Sequence, residues 1–194
     1  MINLNKGVSK SLIRELTFQL ANQSKMLINL RLSKINLNDN SYEGGIVESI
    51  CELVKNSDTL SYLDLSWTSL SPSQLILIVE AIIENHNPEN IIRSLNLSYN
   101  TLFFSGHNNK LIDESIEFIE LLKTKFLKQA KLLSHLDFSG MGFTEKILCD
   151  LSFGLVTCPL LAAVHFNDNG FYDDIEGKLA VMDVFGIDQA SLNP

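Results

Sequence analysis

"SLNLSYNTL", residues 94–102, holds Leu95, Leu97 and Leu102, with an asparagine, Asn100, two residues before the last leucine. Side chains of a strand alternate between its two faces. Leu95 and Leu97 therefore share one face, and Ser94, Asn96 and Ser98 take the other. The chain must then turn sharply, and an asparagine amide can bond the backbone groups that such a turn leaves without partners. The stretch reads as a short half-buried strand running into a turn fixed by Asn100.

The same pattern recurs as "LINLRLSKINL" (27–37), "LSYLDLSWTSL" (60–70), "IRSLNLSYNTL" (92–102), "LSHLDFSGMGF" (133–143) and "LAAVHFNDNGF" (161–171). Each copy is apolar at its first, fourth, sixth and eleventh positions. Self-similarity of this kind decides the fold before any single element does. These residues follow L-x-x-L-x-L-x-x-N-x-L, and the chain resembles the leucine-rich-repeat family over nearly its whole length. The ninth positions depart from it: they are Ile35, Thr68, Asn100, Met141 and Asn169. With two asparagines in five copies, the turns at Ile35, Thr68 and Met141 are expected to be looser or differently shaped.

Between the strand motifs the hydrophobic period lengthens from two to about 3.6, the mark of a helix. Leu75, Ile78, Val79, Ile82 and Ile83 form one stripe, with Ser71 as cap and Pro72 at the first helical position. Ile46, Ile50, Leu53 and Val54 form another, and Ile147, Leu148, Leu151 and Leu155 a third. At the start of the chain, Ile2 lies 28 residues before Leu30, so "INL" (2–4) is expected to be a first strand, followed by a helix with Leu12, Leu16 and Leu20 inward and Ser9 or Ser11 as cap. The fourth positions lie 33, 32, 41 and 28 residues apart from Leu30 through Leu63, Leu95 and Leu136 to Val164. Repeats near 28 residues with full helices resemble the ribonuclease-inhibitor-like subgroup. The expected fold is α/β: a leucine-rich-repeat solenoid, or horseshoe, with a parallel inner sheet and outer helices. Residues 1–194 are read as one such domain of about six strand-helix repeats.

Two regions break the period. The third full repeat is enlarged over 103–131, where an exposed loop at 103–110 precedes a helix carrying Ile112, Ile116, Ile119, Leu122 and Phe126. That stripe serves either as ordinary core or as a docking element, and Phe103 and Phe104 either fill space beneath it or stand exposed. Residues 172–194, with Leu179, Val181, Met182 and Phe185, either cap the last repeat or bind a partner. The N-terminal strand has an open parallel edge. It is read as a surface for self-association or array continuation, against a twisted edge tolerated in a monomer.

Composition narrows the function. Fifteen basic against 23 acidic side chains give a net charge of −8, which offers no electrostatic support for nucleic acid or an anionic membrane. Cys51, Cys149 and Cys158 are odd in number and lack metal-ligand spacing, which fits a reducing, cytoplasmic setting. No apolar run is long enough to span a bilayer. Asn22 and Asn96 begin glycosylation sequons, which count only in a secreted chain. No nucleotide-binding, zinc-protease or hydrolase motif is present, so no catalytic residue, cofactor or metal is assigned.

The candidate site comes from aligning the outward positions of successive strands. The fifth positions are Arg31, Asp64, Asn96, Asp137 and His165, with cross-strand pairing expected for Arg31 with Asp64 and for Asp137 with His165. The seventh positions, Ser33, Ser66, Ser98, Ser139 and Asn167, form a structural column of small polar residues. The third positions contribute Tyr62 and His135; the eighth contribute Trp67 and Tyr99. Tyrosine and tryptophan give large amphipathic contact area and are enriched in interface hot spots. The partner-binding surface is therefore expected to comprise Arg31, Tyr62, Asp64, Trp67, Asn96, Tyr99, His135, Asp137 and His165. For Trp67 the alternative is that the indole folds back over the adjacent turn.

The resemblance implies a non-catalytic interaction module or scaffold that holds a protein partner on its concave face, in a cytoskeletal, ciliary or signalling assembly. The alternative it implies is a GTPase-activating protein similar to the Ran GTPase activator.

Overall fold

The computed structural model describes residues 2–3, 9–23, 26–38, 45–85, 91–103, 106 and 108–169. Six short strands form one parallel sheet in chain order: β1 (Ile2–Asn3), β2 (Asn29–Arg31), β3 (Tyr62–Asp64), β4 (Ser94–Asn96), β5 (His135–Asp137) and β6 (Ala163–His165). Helices α1 (Lys10–Gln23), α2 (Ile46–Asn56), α3 (Pro72–Ile83), α4 (Asn109–Leu121), α5 (Leu127–Gln129) and α6 (Glu145–Leu155) lie between them. The solenoid architecture expected from the repeats is the architecture found. Register matches the repeat positions, with Leu30, Leu63, Leu95, Leu136 and Val164 side by side and Ile2 paired with Leu30.

The apolar strand positions face the helices. Leu30, Leu32, Leu63, Leu65, Leu95, Leu97, Leu136 and Phe138 are all fully buried. Toward the C-terminal end, phenylalanines take over this layer: Phe138, Phe143 and Phe166 pack with ring centroids 5.5–6.3 Å apart.

Each strand is only two or three residues long, yet its backbone ladder continues through the turn that follows. Leu65 N–H donates to the Asn96 carbonyl at 2.9 Å, and Trp67 N–H to the Ser98 carbonyl at 3.0 Å. Tyr99 N–H donates to the Ser139 carbonyl at 2.7 Å and Gly140 N–H to the Asn167 carbonyl at 2.8 Å. The repeat's fifth residue closes the turn locally. Asp64 Oδ1 accepts from Ser66 N–H at 3.0 Å and from the Ser66 hydroxyl at 2.7 Å, and Asn96 Oδ1 receives the same pair from Ser98. The seventh-position serines of these copies are buried, so that column is structural, as expected.

Asn100 is fully buried and satisfies its whole amide. Its Nδ2 donates to the carbonyls of Leu65 at 2.8 Å and Leu97 at 2.9 Å. Its Oδ1 accepts from Leu70 N–H at 2.9 Å and from the Thr68 hydroxyl at 3.0 Å. Asn169 repeats the arrangement, donating to Phe138 and Phe166 carbonyls and accepting from Met141 and Phe143 N–H groups, all within 3.0 Å. The looser turns expected at Thr68 and Met141 are therefore not found. Each asparagine reaches back and fixes the turn of the preceding repeat as well as its own, so the copies at Thr68 and Met141 can lack one; the turn at Ile35 has no asparagine behind it.

Helix α3 begins where its capping residues predict. Ser71 and Gln74 form a reciprocal capping box with Pro72 at the first position, and Leu75, Ile78, Val79 and Ile82 are buried. Ile46, Ile50, Leu53 and Val54 are buried too. In α1, capped by Ser9 accepting from Leu12 N–H at 3.2 Å, the inward face differs from the expected one. Ile13 and Thr17 are buried and Leu12 is 58% exposed, with Thr17 satisfying its hydroxyl on the Ile13 carbonyl at 2.9 Å, while Leu20 packs against the core as expected.

The enlarged repeat shows a second correction. Its helix buries Ser115, Phe118, Ile119, Leu122 and Phe126, whereas Ile116 is 51% exposed. Ser115 occupies the inward place because its hydroxyl donates to the Leu111 carbonyl at 2.7 Å and accepts from Phe103 N–H at 2.9 Å, tying the loop to the helix. Between α4 and α5, residues Leu122–Phe126 form a π-helical turn, with Leu127 N–H donating to the Leu122 carbonyl. Phe104 and the segment 172–194 lie outside the described residues, as does part of the 103–110 loop. No helix among the described residues is long and apolar enough to cross a membrane.

Removing the Asn100 amide orphans Leu70 N–H and leaves two buried carbonyls short of a donor. Asn100→Ala is expected to lower unfolding stability by about 3 kcal/mol, since each unsatisfied buried group costs roughly 1–3 kcal/mol. Urea titration followed by circular dichroism measures it; a loss under about 1 kcal/mol would show that the turns do not depend on the amide.

Candidate interaction surface

The eighth residue of each repeat stands where the strand ends and the turn begins. Lys34, Trp67, Tyr99 and Asp168 all adopt left-handed backbone there, with φ between 57° and 62°, and Gly140 has φ 63°. Glycine suits such a conformation, and a side chain with a Cβ costs roughly 1–2 kcal/mol in it. Two of these five places hold large aromatics. Because the turn forces the same backbone at each repeat, the five residues stand in one row along the edge of the sheet.

Within that row the side chains interlock. The Trp67 indole stacks on the Tyr99 ring, with centroids 4.1 Å apart and planes 17° from parallel. The Tyr99 ring lies over Gly140, where any Cβ would fall within the ring's carbon atoms. Its hydroxyl then donates to the Asp168 carboxylate, two repeats away. Gly140 thus supplies a gap that lets Tyr99 span from Trp67 to Asp168. Trp67 remains 52% exposed. The indole is thus stacked on one side by Tyr99 of the next repeat and half exposed in all.

On the sheet face, Arg31 and Tyr62 come together on neighbouring strands. The Arg31 guanidinium lies over the Tyr62 ring at 4.7 Å, and its Nη2 donates to the Tyr62 hydroxyl at 3.0 Å. Arg31 Nε is buried with no hydrogen-bond partner. The expected Arg31 to Asp64 pairing does not form, although the two residues are in register. The Asp64 carboxylate is 8% exposed and already accepts from Ser66, so it belongs to the turn and offers no free contact surface.

The Asp137 to His165 pairing does not form either. Asp137 Oδ1 accepts from Ser139 N–H at 2.9 Å, the same turn closure made by Asp64 and Asn96. His165 instead packs against His135, with ring centroids 4.8 Å apart. Asp137 therefore does not orient the His165 imidazole as a general base. Nor do the thiols provide a nucleophile: burial pushes Cys51 up to about 12 and also raises Cys149 and Cys158. Among the described residues, no group of three His, Cys, Asp or Glu side chains is placed to hold a metal.

Of the nine residues read from the sequence, the structure thus gathers Trp67 with Tyr99, Arg31 with Tyr62, and His135 with His165, while Asp64, Asn96 and Asp137 bond within their own turns. Sequence reading missed Gly140 and Asp168 as members of the aromatic row. The signal was available in the eighth-position column, where a glycine and an aspartate follow two aromatics.

No known protein-family model matches the sequence, and no curated protein does. Solved structures do match in fold. The chain is similar to the C-terminal domain of Caenorhabditis elegans tropomodulin, with TM-score 0.57, 14% identity, and 90% of this chain and 92% of that one covered. It is also similar to actin-binding site 2 of leiomodin-1, with TM-score 0.61, 14% identity, and 94% and 92% covered. The fold is of the leucine-rich-repeat type.

Trp67 is the only tryptophan, so its emission reports directly on the row. Tyr99→Ala and Gly140→Ala are each expected to shift that emission to longer wavelength as the indole loses its packed face to water. Steady-state fluorescence checks this, and unchanged spectra in both folded variants would mean that the stack does not persist in solution.

Proposed function

We propose that this chain is a non-catalytic protein-binding module of the cytoskeleton, with actin as the first partner to test. The observation that carries the reading is the Trp67–Tyr99 pair. Two bulky aromatics occupy left-handed positions that favour glycine, stacked on each other and held by Asp168, with the indole half open. The left-handed backbone belongs to every turn of the row, so what sets this stretch apart is the stacked, half-exposed aromatic pair itself. Rigid aromatics also lose little freedom on binding, which suits them to interface hot spots. The actin assignment draws on the similarity in fold to leiomodin-1's actin-binding site, and a cytoplasmic location follows from it.

In this reading, Trp67 and Tyr99 supply the central contact and the Arg31–Tyr62 and His135–His165 pairs flank it on the sheet. Asp64, Asn96 and Asp137 act indirectly, by holding the turns. The ribonuclease-inhibitor-like subgroup remains the repeat class that the helix-bearing repeats fit best. Residues 1–194 form one domain in this reading.

Sedimentation with actin filaments tests the assignment. The intact chain is expected to pellet with filaments in a saturable manner. Trp67→Ala and Tyr99→Ala should each weaken that binding by about 2 kcal/mol or more, the size of a hot-spot truncation. Absence of the intact chain from the pellet would remove actin as the partner. Full binding by both folded variants would remove the aromatic row as the surface.

A further inference from the structure

A second surface lies in the helical layer, away from the aromatic row. The π-helical turn and α5 form one wall of a groove of about 450 Å³, and α6 forms the other. Lys123 and Lys128 line the first wall; Asp150, Phe153 and Thr157 line the second. The walls approach closely at Gly154, where an added Cβ would stand 2.7 Å from Leu127 Cδ1. A larger residue there would push the helices apart and reshape the groove.

Two independent properties give this groove a chemistry. The first is charge. Of the four lysines at 123, 125, 128 and 131, Lys123 and Lys128 line the groove, where they outnumber the one carboxylate on the other wall, Asp150. Lys123 reaches Glu120 at 3.5 Å, and Lys125 sits close enough to act electrostatically on Glu84. Lys128 and Lys131 are exposed and make no ion pair among the described residues. The second property is apolar exposure on the opposite wall. Phe153, which lines the groove, is 66% exposed. The π-helical turn adds a local irregularity of a kind that recurs at functional sites. It also sets Lys123 at the groove.

We infer that this groove docks an acidic amphipathic helix of a partner protein, its apolar stripe on Phe153 and its carboxylates beside Lys123 and Lys128. Grooves between helices receive such helices through anchors spaced three and four residues apart. The lysines supply the steering and register that such a contact needs. The site is separate from the aromatic row and does not depend on actin being the partner of that row.

The test titrates the intact chain into a fluorescein-labelled synthetic amphipathic helix, with leucines along one stripe and glutamates on its flanks, and reads anisotropy. Saturable binding that weakens with salt is expected, with a loss of about tenfold or more in Lys128→Glu and in Phe153→Ala. Trp67→Ala should bind the peptide as the unaltered chain does, which keeps this site distinct from the row. Circular dichroism confirms that each variant is folded. No saturable binding, or binding that K128E and F153A leave unchanged, overturns the inference. So does preference for phosphatidylserine vesicles over the peptide, since the ligand would then be a membrane. Tighter peptide binding by the variant D173N/D174N/E176Q would also overturn it, because the chain's own C-terminal residues would then be the occupant.

Discussion

The buried amide of Asn100 makes four hydrogen bonds, of which only the one to Leu97 lies in its own repeat. The other three reach the turn of the repeat before it. Asn169 does the same for the turn that contains Met141. A repeat protein is stabilised largely through contacts between neighbouring repeats, and here the strands are too short to supply all of that contact. Carrying the ladder through the turn, with an asparagine locked into it, joins neighbouring repeats where the strands end.

The surface chemistry follows from the same constraint. The eighth residue stands in left-handed backbone in every copy from Lys34 to Asp168, and from Trp67 onward its turn is one that Asn100 or Asn169 holds. The row of eighth positions is therefore regular in spacing whatever side chains occupy it. Trp67, Tyr99, Gly140 and Asp168 exploit that regularity: two aromatics stack, the glycine leaves room, and the aspartate anchors the tyrosine hydroxyl. Rigidity of the turn becomes rigidity of the surface. This is the link from a buried amide to the proposed contact face.

The repeat pattern made the fold legible, because alternation of two and a helical period of 3.6 both leave clear traces in Leu30, Leu63, Leu95 and the stripes of α2 and α3. The register followed from the repeat positions alone, and so did the strand at Ile2. Helix rotation was less legible. In α1 and α4 a threonine and a serine that bond to backbone carbonyls take inward places, Thr17 and Ser115, which a reading by hydrophobicity gives to leucine or isoleucine. Site pairing was least legible. In-register carboxylates look available for Arg31 and His165, but Asp64 and Asp137 are each consumed two residues along their own chain. Local closure wins because the seventh-residue N–H would otherwise be left unpaired in a crowded turn.

Leu70 and Phe143 N–H groups donate to the side-chain oxygens of Asn100 and Asn169, so their fate reports on the two amides directly. The decisive measurement is residue-resolved amide hydrogen exchange of the native chain. If the asparagines join the repeats as described, both amides exchange as slowly as those of Leu65 and Leu97 in the backbone ladder, through unfolding of neighbouring repeats together. Exchange of Leu70 and Phe143 at the rate of an exposed loop amide, while Leu65 and Leu97 stay protected, would contradict the account.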